Sequence, residues 1–214
     1  MLTKNQIKLI HSLRQKKFRI SQKMFIVEGV KVVGEFLNSK YELVEIFSSD
    51  EEYSWCGPNF TEVSSKELSK ISNFTAANKV LAIFKIPNPL PVDWTGLVLA
   101  LDSVNDPGNL GTIIRLADWY GVRDILISEQ TADVYNPKTI SATMGAFTRV
   151  KTHRVDLKAY LQTVNLPIYG AFLGGENVHT NNFENNAVIV MGNESHGISD
   201  EIAALITKKI TIPS

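Results

Sequence analysis

The sequence predicts an α/β protein made of two domains, and three observations lead there. Short apolar runs alternate with segments of helical spacing along the 214 residues, as strands alternate with crossover helices. The runs in the second half, among them Leu97–Leu101 and Ala187–Met191, are continuously apolar, the signature of a mainly parallel sheet covered on both faces. Between the halves, Pro87-Asn88-Pro89-Leu90-Pro91 breaks both patterns and reads as an interdomain linker. The expected division is residues 1–90 and 91–214.

In the first half, Thr3 and Gln6 make a capping-box pair ahead of a helix with Ile7, Ile10 and Leu13 on one face. A basic segment, Arg14 to Lys23, follows. Phe25-Ile26-Val27 reads as a strand ending at Gly29, Val30 to Leu37 as a helix, and Leu43 to Phe47 as a second strand. Tyr53 to Phe60 reads as loop, Ser64 to Ile71 as a short helix, and Lys79 to Ile86 as another strand. Together these predict a small α/β domain.

In the second half, the strand Leu97–Leu101 runs into a polar turn, Asp102 to Gly108, and then a helix from Asn109 to Tyr120 closed by Gly121. Strands follow at 124–128, 148–155, 167–173, 187–191 and 209–212. Helices follow at 136–145, 156–163 and 199–206. Polar side chains and helix-start amides therefore gather at the carboxyl end of a buried strand, where open α/β sheets bind ligands. A second such turn, Gly192-Asn193-Glu194-Ser195-His196-Gly197, follows the strand 187–191, and a third strand end, 210–214, lies close behind.

Composition narrows the function. Hydrophobic residues make up 44% of the chain and formal net charge is zero, from 22 basic and 22 acidic side chains, so the whole molecule is not an obvious polyanion binder. The charge is unevenly spread. Residues 1–31 carry eight lysines and arginines against Glu28, whereas residues 42–67 are acidic. A basic arm on a neutral body can bind nucleic acid locally, and a solvated helix face is the plainer reading. Cys56 is the only cysteine, so no disulfide framework or cysteine-based zinc site is expected. The four histidines have no metal spacing. With no apolar leader and no run of membrane-spanning length, the expectation is a cytoplasmic protein without membrane or metal.

Several chemistries fail on spacing. The first turn has only Gly108 and Gly111, short of a dinucleotide fingerprint. No phosphate-loop motif exists, and Ser195 beside His196 lacks the G-x-S-x-G spacing of a serine hydrolase's nucleophile elbow. Taken singly, each polar turn has a bland reading: glycines for a tight turn, asparagines for a helix cap. Their combination in one domain favours a site.

At these residues the chain resembles the SpoU, or TrmH-like, RNA ribose 2′-O-methyltransferases of the SPOUT superfamily. The first motif is Asn105-Asp-Pro-Gly-Asn109-Leu-Gly-Thr-Ile-Ile-Arg115-Leu-Ala117 and the second is Val190-Met-Gly192-Asn-Glu194-Ser-His-Gly197-Ile-Ser199. Thr143-Met-Gly145-Ala-Phe147 also matches, and Phe25–Leu37 resembles the family's L30e-like RNA-binding domain. The third motif begins as Ile210-Thr-Ile212-Pro213. In the family it continues into a Ser-Leu-Asn segment and a closing helix, which this sequence does not contain. The resemblance therefore implies, for residues 1–214, an incomplete cofactor pocket and an incomplete form of the family's carboxyl-terminal knot.

The resemblance implies S-adenosylmethionine as cofactor, held by Gly192, Asn193, Gly197 and Ile212 with backbone contacts at Ala171, Phe172 and Leu173. It implies structured ribosomal or transfer RNA as substrate, a ribose 2′-hydroxyl as methyl acceptor, and a homodimer. Arg115, Asn109 and Glu194 become the catalytic candidates, and Lys16, Lys17, Arg19 and Lys23 the RNA-binding ones. The family proposal makes the arginine a general base. Bringing a guanidinium from above ~12 to near ~7 costs about 7 kcal/mol, so a charged Arg115 that stabilises the developing alkoxide or pins a phosphate is the alternative. Two rival readings remain at this point: a non-catalytic RNA-binding protein on the same fold, and an unrelated nucleotide-binding α/β enzyme.

Overall fold

Thr3 opens the first helix of the computed structural model, which describes residues 2–213. Its hydroxyl accepts from Gln6 N at 3.2 Å and Gln6 Oε1 accepts from Thr3 N at 2.8 Å, so the capping box forms as expected. Helix α1 (Lys4–Leu13) is followed by α2 (Lys16–Gln22), β1 (Met24–Glu28), α3 (Val30–Leu37) and β2 (Leu43–Ser48). A run of tight three-residue turns over Glu51–Asn59 leads to β3 (Phe60–Glu62), α4 (Ser65–Ile71) and β4 (Val80–Lys85). The sheet order is β1-β4-β2-β3, with β4 antiparallel to both neighbours and β3 parallel to β2. Ile10 and Leu13 of α1 are buried with Ile26, Phe47, Leu68 and Ile71.

The chain divides into two compact units, and the division is not the single cut expected near residue 90. The first unit runs to Asn88 and also takes in Asp133–Thr148; the second comprises Pro89–Ala132 and resumes at Arg149. The inserted segment holds α6 (Pro137–Ala142), capped by Asn136. Its membership follows from aromatic packing. Tyr135 lies 4.9 Å from Phe25 between ring centroids, and Phe147 lies 6.3 Å from Phe36 and 6.1 Å from Tyr41. Burial pushes the Tyr135 phenol up to about 12, with the Asp133 carboxylate adding to it.

The second unit holds β5 (Leu97–Leu101), α5 (Pro107–Trp119), β6 (Asp124–Ile127), β7 (Lys151–Arg154), α7 (Leu157–Leu161), β8 (Ile168–Asn177), β9 (Ala187–Met191), α8 (Asp200–Ala203) and β10 (Lys208–Thr211). All six strands are parallel, in the order β10-β8-β9-β5-β6-β7. Val98, Ala100, Leu126, Val188 and Val190 are buried with Leu157, Leu161, Ile198 and Ile202 from the covering elements, which explains the continuous apolar runs. From β5 the chain passes through α5 to β6 on one side. From β9 it passes through α8 to β10 on the other. The carboxyl ends of β5 and β9 therefore flank the point where winding reverses, the usual ligand crevice of such sheets.

One expected RNA contact is corrected here. Arg19 is buried. Its Nε donates to Asp133 Oδ2 at 3.0 Å and its Nη1 to Leu13 O at 2.7 Å, so its charge serves the first unit's interior rather than a phosphate. Ser214, at the end of the expected third strand end, lies outside the described residues. We predict that Arg19→Ala lowers stability by about 3–5 kcal/mol, because it strands a carboxylate beside the core. Urea unfolding reads this; a loss under about 1 kcal/mol would refute a structural role for Arg19.

Candidate active site

The turn after β5 begins with Asp102, buried at the strand end. Its Oδ2 accepts from Ser199 N at 2.8 Å and its Oδ1 from Ser103 Oγ at 3.1 Å. Ser103 adopts φ 62, a left-handed conformation that costs a non-glycine residue about 1–3 kcal/mol and marks a constrained turn. Asp106 caps α5, its Oδ1 accepting from Asn109 N at 2.9 Å. Asn109 thus enters the helix's first turn with its side chain free to reach outward.

The turn after β9 is built around Asn193. Its backbone exchanges two hydrogen bonds with Gly197, each 2.9 Å, and its Oδ1 accepts from Ser195 N at 2.9 Å and His196 N at 3.2 Å. Its Nδ2 donates to Ser103 O at 2.8 Å. Gly192 is required by close approach: a Cβ there would stand 2.1 Å from the Gly197 carbonyl carbon. Gly197 itself sits at φ 70, a conformation glycine adopts without strain.

Glu194 closes the two turns onto each other. Asn109 Nδ2 donates to its Oε1 at 2.9 Å. That bond and backbone N–H groups of Glu194, Asn105 and Asp106 hold its carboxyl below the usual range, against a smaller opposing effect of burial. Two catalytic candidates, Asn109 and Glu194, therefore meet with Asn193. Arg115 does not join them. It lies six residues along α5, about 9 Å of helix axis from Asn109, on an exposed face shared with Thr112, Leu116 and Trp119. Among the described residues no hydrogen bond or ion pair links it to Asn109 or Glu194.

The cofactor candidates fall at the same end of the sheet. Gly170 pairs with Val190 on one side and with Lys209 on the other, and pairing with β10 resumes only at Glu176, so Ala171, Phe172 and Leu173 lie in an irregular stretch of β8 beyond its last pair with β9. Ile212 follows β10, the next strand over. Leu173 within that stretch of β8, Met191 at the end of β9 and Ile212 just after β10 leave apolar side chains open to solvent. Asp102 and Ser103 were not singled out by sequence reasoning. Their one sequence signal is position, as the first polar residues after an unbroken apolar strand. Lys16, Lys17 and Lys23 are exposed in the first unit. Among the described residues no cluster of histidine, cysteine, aspartate and glutamate suits a metal ion, and no helix is long and apolar enough to cross a membrane.

Residues 96–214 match the model of the SpoU rRNA Methylase family. The chain belongs to that family. Residues 4–82 match the MRM3-like substrate binding domain. This SpoU chain is 31% identical over 215 residues to the 23S rRNA (guanosine(2553)-2′-O)-methyltransferase of Bacillus subtilis, covering 96% of this chain and 85% of that protein. It spans only 38% of a longer relative, the mitochondrial rRNA methyltransferase 3 of Xenopus tropicalis. Among solved structures, a TrmH-family protein from Porphyromonas gingivalis superposes with a TM-score of 0.91 at 37% identity, over 100% of this chain and 90% of that one. An rRNA methyltransferase from Sinorhizobium meliloti, solved with S-adenosylmethionine bound, gives 0.88 at 29% identity over 100% and 87%.

A pH test follows from the lowered Glu194 carboxyl. A carboxyl depressed in the folded state adds stability that is present above its unfolded value and lost as pH falls through its folded value. The Asn109 side-chain amide resonances should therefore move with a midpoint below the ordinary ~4.3 of glutamate. A midpoint at or above that value would contradict the bridge.

Proposed function

We propose that this SpoU-family enzyme methylates a ribose 2′-hydroxyl of ribosomal RNA with S-adenosylmethionine, and that Arg115, Asn109 and Glu194 carry the reaction. The observation behind the assignment is the Asn109–Glu194 bond at 2.9 Å, which joins the turns of β5 and β9 where the sheet's winding reverses. The exposed apolar side chains of Leu173, Ile212 and Met191 suit an adenosyl group, and the Gly192–Gly197 turn lets backbone approach it closely. S-Adenosylmethionine supplies an electrophilic methyl group on a sulfonium.

The acceptor hydroxyl is a poor nucleophile and needs its developing negative charge met. Arg115, on an exposed face of α5, is kept as a cation in this reading and stabilises that oxygen or pins the flanking phosphate. As the carbon–oxygen bond forms and the carbon–sulfur bond breaks, the hydroxyl proton passes to solvent and the sulfonium charge is cancelled. Asn109 and Glu194 orient the substrate and hold the turn geometry. In the first unit Lys16, Lys17 and Lys23 meet phosphates of folded RNA.

Two further parts of the proposal are a homodimer and a cytoplasmic setting. Leu116, Trp119 and Tyr120 are exposed along one side of α5, a stripe that a second copy would cover, with Arg115 inside it. The cytoplasmic setting is supported by a single free cysteine, Cys56. The carboxyl-terminal knot implied by the family resemblance belongs to the same proposal.

Arg115→Ala is expected to leave the fold and cofactor binding unchanged and to abolish methyl transfer to a ribosomal RNA transcript in a tritiated-methyl assay. Activity within about tenfold of the parent protein would overturn the role of Arg115, since an oxyanion stabiliser is worth about 10²–10³ in rate. Reversing charge at Lys16 and Lys17 together should weaken RNA binding and reduce the steepness of its salt dependence by about 1.5 log units per log unit of salt. An unchanged slope would remove these lysines from the interface.

A further inference from the structure

Arg154, the last residue of β7, gathers a turn that the functional reading has not used. Its Nη1 donates to the carbonyls of Ser128 at 2.8 Å, Glu129 at 2.8 Å and Thr131 at 2.9 Å. Its Nη2 donates to the Ala132 carbonyl at 2.7 Å. Four carbonyl dipoles of one five-residue turn thus converge on a single guanidinium. Carbonyl oxygens repel when brought together, so the shape of the turn depends on that cation, and a planar fork of donors suits it better than an ammonium.

The same turn is fastened on its other side to the carboxyl end of β5. Ser128 N donates to Leu101 O at 3.0 Å, and Ala132 N donates to Val104 O at 2.9 Å. Thr131 Oγ1 donates to Leu101 O at 3.1 Å, and Ser103 N donates to Ser128 Oγ at 3.0 Å. Ser103 is the left-handed residue whose carbonyl accepts from Asn193. A continuous set of bonds therefore runs from Arg154 through residues 128–132 to Ser103, then to Asn193 and on to Glu194 and Asn109. In sequence, Ala132 is also the last residue before the segment Asp133–Thr148, which packs in the first unit.

We propose that Arg154 is a positioning residue for methyl transfer: it fixes the turn 128–132, which holds Ser103 in its strained conformation and so sets the Asn193–Glu194–Asn109 arrangement. The proposal rests on the functional reading given above for those residues. It assigns to β7, separated from β9 by β5 and β6, a share in the geometry of the site.

The test compares the parent protein with Arg154→Lys, Arg154→Ala and Thr131→Val. Thermal unfolding, calorimetric binding of S-adenosylmethionine, methyl transfer to a ribosomal RNA transcript and amide hydrogen exchange are measured on each. In the Lys variant, which keeps the charge but not the fork, kcat is expected to fall about tenfold or more while KM for RNA stays within about twofold. Thr131→Val, which leaves the guanidinium in place, should give a smaller fall in the same direction. Amide exchange should rise at 102–104 and 193–197 as well as at 128–132. Full kcat in the Lys and Ala variants below their unfolding temperatures would overturn the proposal, as would a loss confined to RNA affinity. Exchange that rises only within 128–132 would also overturn it. If the parent protein transfers no methyl group to RNA, the functional reading fails by itself, and the exchange pattern still decides whether Arg154 positions these turns.

Discussion

One side-chain amide holds the candidate site in shape. Asn193 satisfies two backbone N–H groups of its own turn with its oxygen, and with its nitrogen it reaches Ser103 O in the turn after the neighbouring strand. Parallel pairing of β5 with β9 places the two strand ends side by side, but pairing stops at the strand ends and leaves the turns beyond them unpaired. Backbone groups there must find partners elsewhere. Asn193, Asp102 and Glu194 supply them, and in doing so convert two loops into one rigid floor. Ser103's strained conformation is tolerated because donors and acceptors on both sides of it are committed.

How much of this was legible in the sequence depended on whether the determining contact was local. The strands β5 and β9 and the helix α3 could be bounded to the residue, because apolar runs and helical spacing are local signals. Strand β3, Phe60–Glu62, carries only three residues and no alternation long enough to read, so Phe60 is read as the end of a loop and Thr61 and Glu62 as no element. The insertion Asp133–Thr148 could not be assigned to the first unit at all. Its helix is visible in Asn136-Pro137 and the spacing that follows, but the core it joins is chosen by Tyr135 and Phe147 packing against Phe25, Phe36 and Tyr41, about a hundred residues earlier.

Arg19 shows the same limit for function. In a run of eight cations against one acid, nothing local separates a free side chain from a committed one. Its partner Asp133 lies 114 residues away in sequence. The candidate site divides likewise. Motif residues Asn109, Asn193 and Glu194 were found by pattern and prove to be bonded together. Asp102 and Ser103, which determine where those residues sit, are ordinary residue types in a polar turn, and only their long-range bonds reveal them.

The proposed reading places unequal demands on the two halves of the site. Asn109 and Glu194 are fixed before any substrate arrives, whereas Arg115 extends from an exposed helix face on a flexible stem. A cation about 4 Å from a developing oxyanion is worth about 1 kcal/mol in bulk water and about 4 kcal/mol where the effective dielectric falls to that of a partly covered protein surface. Hydrated as it stands, Arg115 would contribute little to rate. For it to act as proposed, water has to leave the α5 face, and the apolar side chains of Leu116, Trp119 and Tyr120 beside it are the groups that favour such covering. Catalysis by this arginine therefore requires that α5 be buried by a second copy or by the RNA, so in this reading activity begins only once that face is covered.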